Sequence, residues 1–520
     1  MALLSFLQQW LEKQQWMLLQ HPLLLSLLLL FSFFFLLRIG YGPNSSKSNL
    51  PPSPPKFPII GNIHQLGPLI HRSFRDLSQK YGPIMLLHMG GVPVVVVSSG
   101  EIVREITKDH DVNFANRPFT TAAHALLYGC TDVGFSPYGE HWRKLRRICV
   151  MELLTPKRVH SFKSFREEEI GCLLEKIKAA AAMKNSPIDL SKMFFVLSND
   201  IVSRCAVGKK HGEKDKFREL SRQLSELIPA FSFGDFFPYL KWMDVLTGLV
   251  RRLKITSQEL DAFFEQVLEE HVGERNHNDG EYLNKENDCM DLLLKVQENN
   301  QYINLTKLNI KALIQDLFIA GSETTATTLE WTMAELIKNP DIMKKAQEEV
   351  RRVTGHNKCS KVEEEDIKQM DYLKCIINES LRLHPAIPTL LPHQSSKACT
   401  VGGYHIPAKT RVMINAWAIQ RDPKVWSRAE EFIPDRFINS TIDFKGQDYN
   451  FIPFGSGRRM CPGSTFALAI VESAIANLLY WFDWELPNGA ANEELDMTEA
   501  FGLSVAKKIP LKLVPIYHFS

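Results

Sequence analysis

The chain has 520 residues, with 61 Lys plus Arg against 59 Asp plus Glu, 45% apolar residues and 23% charged ones. A formal charge of +2 excludes the basic balance of a dedicated nucleic-acid binder, and no nucleic acid is expected as a partner. The apolar content excludes a disordered chain, and nine scattered cysteines without a C-x-x-C pair speak for a reducing compartment, not a disulfide framework or zinc ribbon.

Residues 23–37 form an unbroken run of apolar residues and serines, stopped by Arg38. The run is short for a membrane span and overlaps the length of a signal-peptide core, so a cleaved signal, a buried core helix and a retained anchor all compete for it. No small-x-small cleavage site comes after it. Instead the chain continues through Lys47 to Pro51-Pro52-Ser53-Pro54-Pro55, a stretch that cannot continue a helix and reads as a stiff, extended spacer. The reading adopted is a single-pass anchor in 1–38, a proline-rich hinge in 39–62 and one catalytic domain in 63–520. Arg38, Lys47 and Lys56 lie after the run, whereas Lys13 before it is offset by Glu12, which places the body in the cytosol.

Two β-branched-rich runs, 84–88 and 92–97, flank Met89-Gly90-Gly91 and predict a hairpin. Further on, 165–182 and 308–338 carry apolar residues at helical spacing. The polar stretches 209–216 and 275–288 read as surface loops, and 509–516 as a short strand. There is no internal repeat. The expectation is one large, mainly α domain with small peripheral β-sheets.

Several motifs stand on this frame. Trp142-Arg143-Lys144-Leu145-Arg146 is a basic helix, by itself no more than a solvated face or a surface that attracts an acidic protein. Ala320-Gly321-Ser322-Glu323-Thr324-Thr325 lies within the long helical pattern, where a glycine is unfavourable by about 1 kcal/mol and a threonine can bond back to a carbonyl one turn earlier. A local helix distortion is expected there. Glu379 and Arg382 stand one turn apart, a spacing repeated at Glu101/Arg104, Glu219/Arg222 and Glu349/Arg352, where surface pairs of small energetic value are expected. The first pair is set apart by its sequel, Leu383-His384-Pro385-Ala386-Ile387-Pro388 and then Pro434-Asp435-Arg436-Phe437. Last comes Phe454-Gly455-Ser456-Gly457-Arg458-Arg459-Met460-Cys461-Pro462-Gly463. Its glycines let the backbone approach a flat ligand and turn N–H groups toward sulfur, and such bonds with nearby arginines favour a thiolate.

The spacing F-x-x-G-x-R-x-C-x-G closely resembles the haem-binding loop of cytochromes P-450. The other motifs occur in that family's order, so nearly the whole chain resembles the plant microsomal enzymes, closest to the family-71-type (A-type) enzymes of specialised metabolism. The resemblance implies the cytochrome P-450 fold preceded by one N-terminal transmembrane helix, haem b with Cys461 as the iron ligand, and Phe454 packed near the sulfur. A thiolate pushes electron density onto the iron and favours O–O cleavage. It further implies that Trp142, Arg146 and Arg459 meet the haem propionates. His393 stands where many relatives have arginine, and it carries less charge at neutral pH. Thr324 would hold the water that delivers protons, with Glu323, an aspartate in many relatives, feeding it. Glu379, Arg382 and Arg436 would form a structural network. Phe114, Phe119, Leu317, Ala320, Ile387, Leu390 and Leu503 would line the substrate pocket, with 231–237 near it and Thr121, His124, Thr389 and Ser504 as orienting groups.

The implied activity is NADPH- and O2-dependent hydroxylation or epoxidation of an apolar terpenoid or terpenoid-derived alkaloid on the cytosolic face of the endoplasmic reticulum membrane. Electrons would come from NADPH-cytochrome P-450 reductase, with cytochrome b5 as a second donor. The same oxidant could end in desaturation, oxidative cyclisation or coupling, or act on a phenylpropanoid or an oxime.

Overall fold

Among the described residues nine short strands carry the sheet structure: β1 (Ile84–Met89), β2 (Val92–Val97), β3 (Ile188–Asp189), β4 (His393–Gln394), β5 (Cys399–Val401), β6 (Tyr404–Ile406), β7 (Arg411–Ile414), β8 (Phe482–Glu485) and β9 (Lys512–Tyr517). In the expected hairpin β1 pairs antiparallel with β2, Met89 opposite Val92. The turn needs its glycine, because Gly90 has φ 59° and a Cβ there would stand 2.6 Å from the Phe236 carbonyl oxygen. β2 continues parallel to β7, and β4 closes the four-stranded sheet. The strand read at 509–516 begins three residues later as β9, because Ile509 and Pro510 precede the pairing with β8.

The computed structural model describes residues 25–33, 49–183, 186–210, 214–277, 288–299, 305–355 and 362–519. These fall in two units, 1–49 and 50–520. In the first, residues 25–33 are helical and expose Leu27, Leu29, Phe31 and Phe33; the rest of the apolar run and residues 39–48 lie outside the described residues. The proline stretch belongs to the second unit and does not stand free. Pro52 accepts the Leu86 N–H at 2.8 Å, and Asn62 Nδ2 donates to the carbonyls of Pro54 and Pro55 at 3.3 Å. Proline lacks an N–H but keeps its carbonyl, so a proline run can dock along a sheet edge by accepting alone.

Helices make up the bulk of the second unit. Six position the site: α1 (Glu140–Ile148), α2 (Leu190–Val207), α3 (Lys214–Leu227), α4 (Lys307–Lys338), α5 (Asp371–Leu383) and α6 (Ser464–Trp481). Both predicted long helices exist, the first as Lys163–Ala182 and the second as α4. The stretches read as loops at 209–216 and 275–288 are shorter, since α3 starts at Lys214 and the helix Leu249–His277 reaches into the second; 211–213 and 278–287 lie outside the described residues. At 32 residues α4 spans about 48 Å. It starts at a capping box, where Thr306 Oγ1 accepts the Asn309 N–H and Asn309 Oδ1 accepts the Thr306 N–H. Its second half, from Thr325 to Ile337, is buried all round, as befits a helix at the centre of the core. Among the described residues α6 alone is long and apolar enough to cross a membrane, but most of it is buried in this core.

Candidate active site

A cavity of about 290 Å³ lies between α1, α4, α6 and the loops 386–393 and 453–463. Of the residues singled out in the sequence, Trp142, Arg146, Leu317, Ala320, Thr324, Ile387, Leu390, His393, Phe454, Arg459 and Cys461 line it.

Cys461 stands three residues before α6, so the first N–H groups of that helix point at its sulfur. Burial pushes the thiol up; the N–H groups of Gly463 and Ser464 and the Arg146 guanidinium pull it back toward the thiolate. The loop is pinned from outside. Thr107 Oγ1 and Ser456 Oγ are 2.9 Å apart, and at Gly457 (φ 66°) a Cβ would stand 2.6 Å from the Thr107 carbonyl oxygen. Phe454 packs edge-on against Phe444, with ring centroids 5.5 Å apart.

Next to the sulfur stands a cluster of cations. Arg459 donates to the carbonyls of Ala115 (2.7 Å), Val133 (3.2 Å) and Ser136 (2.6 Å), and its guanidinium lies 4.2 Å from the Trp142 ring centroid. Trp142 Nε1 also donates to the Val133 carbonyl (3.1 Å), and Arg146 to that of Met460 (2.6 Å). Arg117, which sequence reasoning missed, lines the same cavity and donates to the carbonyls of Gly134, Leu391 and Pro392. Burial lowers Arg117 to about 10 and Arg459 to about 8. His393 Nδ1 donates to the Phe114 carbonyl at 2.8 Å, and burial beside Arg117 holds the ring near 3 and therefore neutral. It offers a fixed hydrogen bond and no charge.

On the other side of the cavity α4 presents Asp316, Ala320, Thr324 and Thr328, a stripe with four-residue spacing. Thr324 Oγ1 donates to the Ala320 carbonyl at 2.5 Å, and Thr328 Oγ1 to that of Thr324 at 2.9 Å. α4 runs on as a regular helix through Ala320–Thr325, so the expected distortion is not seen. Gly321 has another reason: a Cβ there would come 2.9 Å from Val202 Cγ2 of α2, so the glycine permits close approach of the two helices. Glu323 does not line the cavity. Burial raises its carboxyl to about 7. Asp316 is a second residue the sequence reading missed. It accepts the Val133 N–H at 2.7 Å, and burial next to Asp132 raises it well above the usual carboxylate range; burial raises Asp132 to about 6.

Three expected pocket residues lie elsewhere. Phe114 is a buried member of the core cluster behind the four-stranded sheet, Phe119 is 59% exposed, and Leu503 instead donates its N–H to the Ser225 carbonyl. The phenylalanines of 231–237 stack on one another, and Phe236 covers the β1–β2 turn. Thr121 is held by Asp235, Ser504 lies 3.1 Å from Thr327, and neither these nor His124 and Thr389 line the cavity.

Behind α6 the network of Glu379, Arg382 and Arg436 is present. Glu379 accepts Arg382 Nε (2.7 Å) and Nη2 (2.8 Å), Arg436 Nε (3.0 Å) and the Ile433 N–H (2.8 Å), and both side chains of the first pair are fully buried. Of the three repeats of that spacing, one forms the expected surface pair and two do not, Arg104 pairing with Asp109 instead of Glu101. Glu219 and Arg222 form an exposed pair, and Glu349 instead caps α5 through the N–H groups of Tyr372 and Leu373.

The buried guanidinium of Arg117 and the half-buried ones of Arg146 and Arg459 thus face a cavity in which Asp132 is the carboxylate acting on Arg117 and Arg459, which leaves positive charge unmatched. A flat cofactor with two carboxylates at one edge fits that excess, and a single cysteine at a helix N-terminus fits its metal. Fold and site together define the haem-thiolate class.

A family model described as Cytochrome P450 matches residues 51–513, and the chain belongs to that family. Its members are monooxygenases that use haem b and receive NADPH electrons through a reductase. Cytochrome P450 71A1 of Persea americana is 52% identical over 88% of this chain and 92% of its own length. Strychnine-11-hydroxylase of Strychnos nux-vomica is 44% identical over 92% of this chain and 94% of its own length. In a solved zebrafish cytochrome P450 with abiraterone, the fold matches with a TM-score of 0.70 at 26% identity, over 86% of this chain and 99% of that one. The chain is a plant family-71-type enzyme.

Proposed function

We propose that this enzyme hydroxylates or epoxidises an apolar terpenoid or terpenoid-derived alkaloid, with electrons from NADPH-cytochrome P-450 reductase or cytochrome b5. The observation that carries the reading is that Cys461 and Thr324 open onto one cavity walled by Leu317, Ala320, Ile387 and Leu390. An apolar wall with few polar groups favours a hydrocarbon-rich substrate, and the relative named for strychnine hydroxylation supports an alkaloid.

In this reading Cys461 ligates the iron, while Trp142, Arg117, Arg146, Arg459 and His393 hold the propionate edge. The haem, when bound, supplies dioxygen activation. Thr324 spends its proton on the Ala320 carbonyl and so keeps its oxygen lone pairs for a water on the cavity side. Glu323, held near 7, can give up and regain a proton at physiological pH. The exposed Arg143 and Arg147 of α1 provide a basic face for the electron donor.

The residues before the folded body serve as an anchor in the endoplasmic reticulum membrane. The exposed apolar side chains at 25–33 support this. The full chain is then expected to stay with microsomes through an alkaline carbonate wash, and its appearance in the supernatant overturns the anchor. For the activity, the anchored enzyme with a plant reductase and NADPH is incubated with a mixed plant extract. Consumption of an apolar terpenoid or alkaloid, with one oxygen added to the product, is expected. Consumption of polar phenolics alone refutes the substrate class.

A further inference from the structure

The helix Leu249–His277 and the helix Cys289–Asn299 meet at three buried side chains that the haem chemistry does not use. His271 comes from the first helix; Asp288 caps the second, and Asp291 lies in its first turn. They are 3%, 5% and 5% exposed, and carboxylates so deep in a protein are almost always paired or bound to a metal. Capping accounts for one of them. Asp288 Oδ1 accepts the Asp291 N–H at 2.9 Å, the usual duty of an aspartate before a helix. It does not account for a second carboxylate and an imidazole turned to the same point.

A neutral imidazole carries a single N–H. His271 Nε2 lies 3.0 Å from Asp291 Oδ1 but 3.7 Å from Asp288 Oδ1, so a proton on it serves one carboxylate and leaves the other beyond hydrogen-bond range. Two carboxylates thus share one ring nitrogen in the interior, a charge excess that a divalent cation offsets. Zinc held by nitrogen and oxygen at about 2.0–2.1 Å in a tetrahedron sets its ligand atoms about 3.3 Å apart, and the two separations of 3.0 and 3.7 Å fall on either side of that length. All three ligand atoms lie within 4.8 Å of one another, so a small turn of one carboxylate closes the third edge. Calcium takes about six to eight oxygens at longer distances and magnesium a near-ideal octahedron rich in water, whereas an imidazole in the set favours zinc. A glycine makes room for the acid: at Gly208, which ends α2 with φ 72°, a Cβ would stand 2.7 Å from Asp288 Oδ2.

We propose that His271, Asp288 and Asp291 bind one zinc ion, with a water as the fourth ligand, and that the ion ties the end of the helix Leu249–His277 to the start of the helix Cys289–Asn299. Binding releases the Nε2 proton to solvent, and the freed lone pair meets the metal. Cys289, next to Asp288 in the chain, lines the haem cavity, so the ion steadies one point of that wall.

The test uses the full-length holoenzyme in detergent and needs no organic substrate. The enzyme is stripped with EDTA, equilibrated with a small excess of Zn2+ and desalted, and zinc is counted against haem iron by mass spectrometry. The parent is expected to retain about one zinc per haem, and H271Q and D291N almost none. In D291N the asparagine keeps an acceptor oxygen for His271 while losing the charge that holds the metal, so its fold is expected to persist. If D291N does not take up haem, D288N, which keeps an acceptor for the Asp291 N–H, replaces it. Melting is followed alongside through the Soret band. Zn2+ at about a hundredfold excess over its Kd is expected to raise the parental midpoint by about 3 °C, and to leave H271Q and D291N unmoved. Mg2+ is expected to move none of them. A parent that retains no zinc, or variants that retain as much as the parent, overturns the proposal. An equal rise with Mg2+ marks a site for hard cations and overturns it as well.

Discussion

Glu379→Gln isolates the structural network from the chemistry. The side chain is fully buried and accepts four hydrogen bonds, from two guanidiniums and one backbone N–H. Glutamine keeps the shape but replaces one acceptor oxygen by a donor that confronts an arginine N–H, and it removes the charge that balances Arg382 and Arg436. Leaving buried charge unpaired costs about 3–5 kcal/mol, a large part of the roughly 5–15 kcal/mol that keeps a domain folded. Arg382 also ties down the carbonyls of Gln420, Ala429 and Glu431. The loss therefore spreads through residues 420–437, the stretch that leads into the cysteine loop. Urea unfolding of the purified enzyme, with haem content read from the absorbance spectrum, should show an unfolding free energy lowered by that amount and depleted haem. The control is Glu219→Gln, which breaks an exposed pair with the same spacing and should cost less than about 0.5 kcal/mol. A loss below about 1 kcal/mol with normal haem content in E379Q would refute the reasoning.

Replacing Cys461 by serine should abolish the red-shifted Soret band of the reduced carbon monoxide complex, and a surviving band removes Cys461 as the iron ligand. Asp316 should give a pH signature. Its folded pKa lies above the unfolded value, so the stability it contributes is complete below about 3.8 and is lost as pH rises through the folded pKa. Asp316→Asn, fixed in the neutral form, should gain thermal stability relative to the parent as pH is raised from 4 to 8; parallel melting curves contradict this. Gly321→Ala should destabilise despite alanine's better helix propensity, by about 1–3 kcal/mol from overpacking, because its Cβ meets Val202. Val202→Ala in the same chain should recover part of the loss, and strict additivity in the double-mutant cycle argues against the contact.

The parts of the site legible in the sequence are those whose geometry is local. The cysteine loop fixes its own turn through Gly455 and Gly457, and Glu379 and Arg382 face each other because a helix places them so. The hairpin was legible from its β-branched runs around a glycine turn, and α4 from its helical periodicity. Arg117 was not, because besides Gly134 it acts on Leu391 and Pro392, and nothing in its neighbourhood announces carbonyls 274 and 275 residues away. Asp316 left a usable signal: it precedes Ala320 by one turn, so extending the Ala320–Thr324 stripe backward reaches it. The proline run reads as a stiff, extended spacer because its donors are missing, and the contact that its intact carbonyl at Pro52 makes with β1 is set by a partner 34 residues on that the local sequence does not announce. Phe114 and Phe119 were placed by analogy of position, and only the packing shows one in the core and the other at the surface.

The contact at Gly321 bears on how such an enzyme can change its work. With Val202 pressed against a residue that has no side chain, the seam between α2 and α4 has no slack in which to trade residue sizes. The wall beside Thr324 is therefore a fixed datum. New selectivity has to be written in Ile387, Leu390 and their neighbours, on a loop that can be recut without moving the central helix. Divergence among such enzymes, on this account, tracks the movable side of the cavity while the seam stays put, and a library confined to 386–391 should yield more folded, active variants than one of equal size spread along α4.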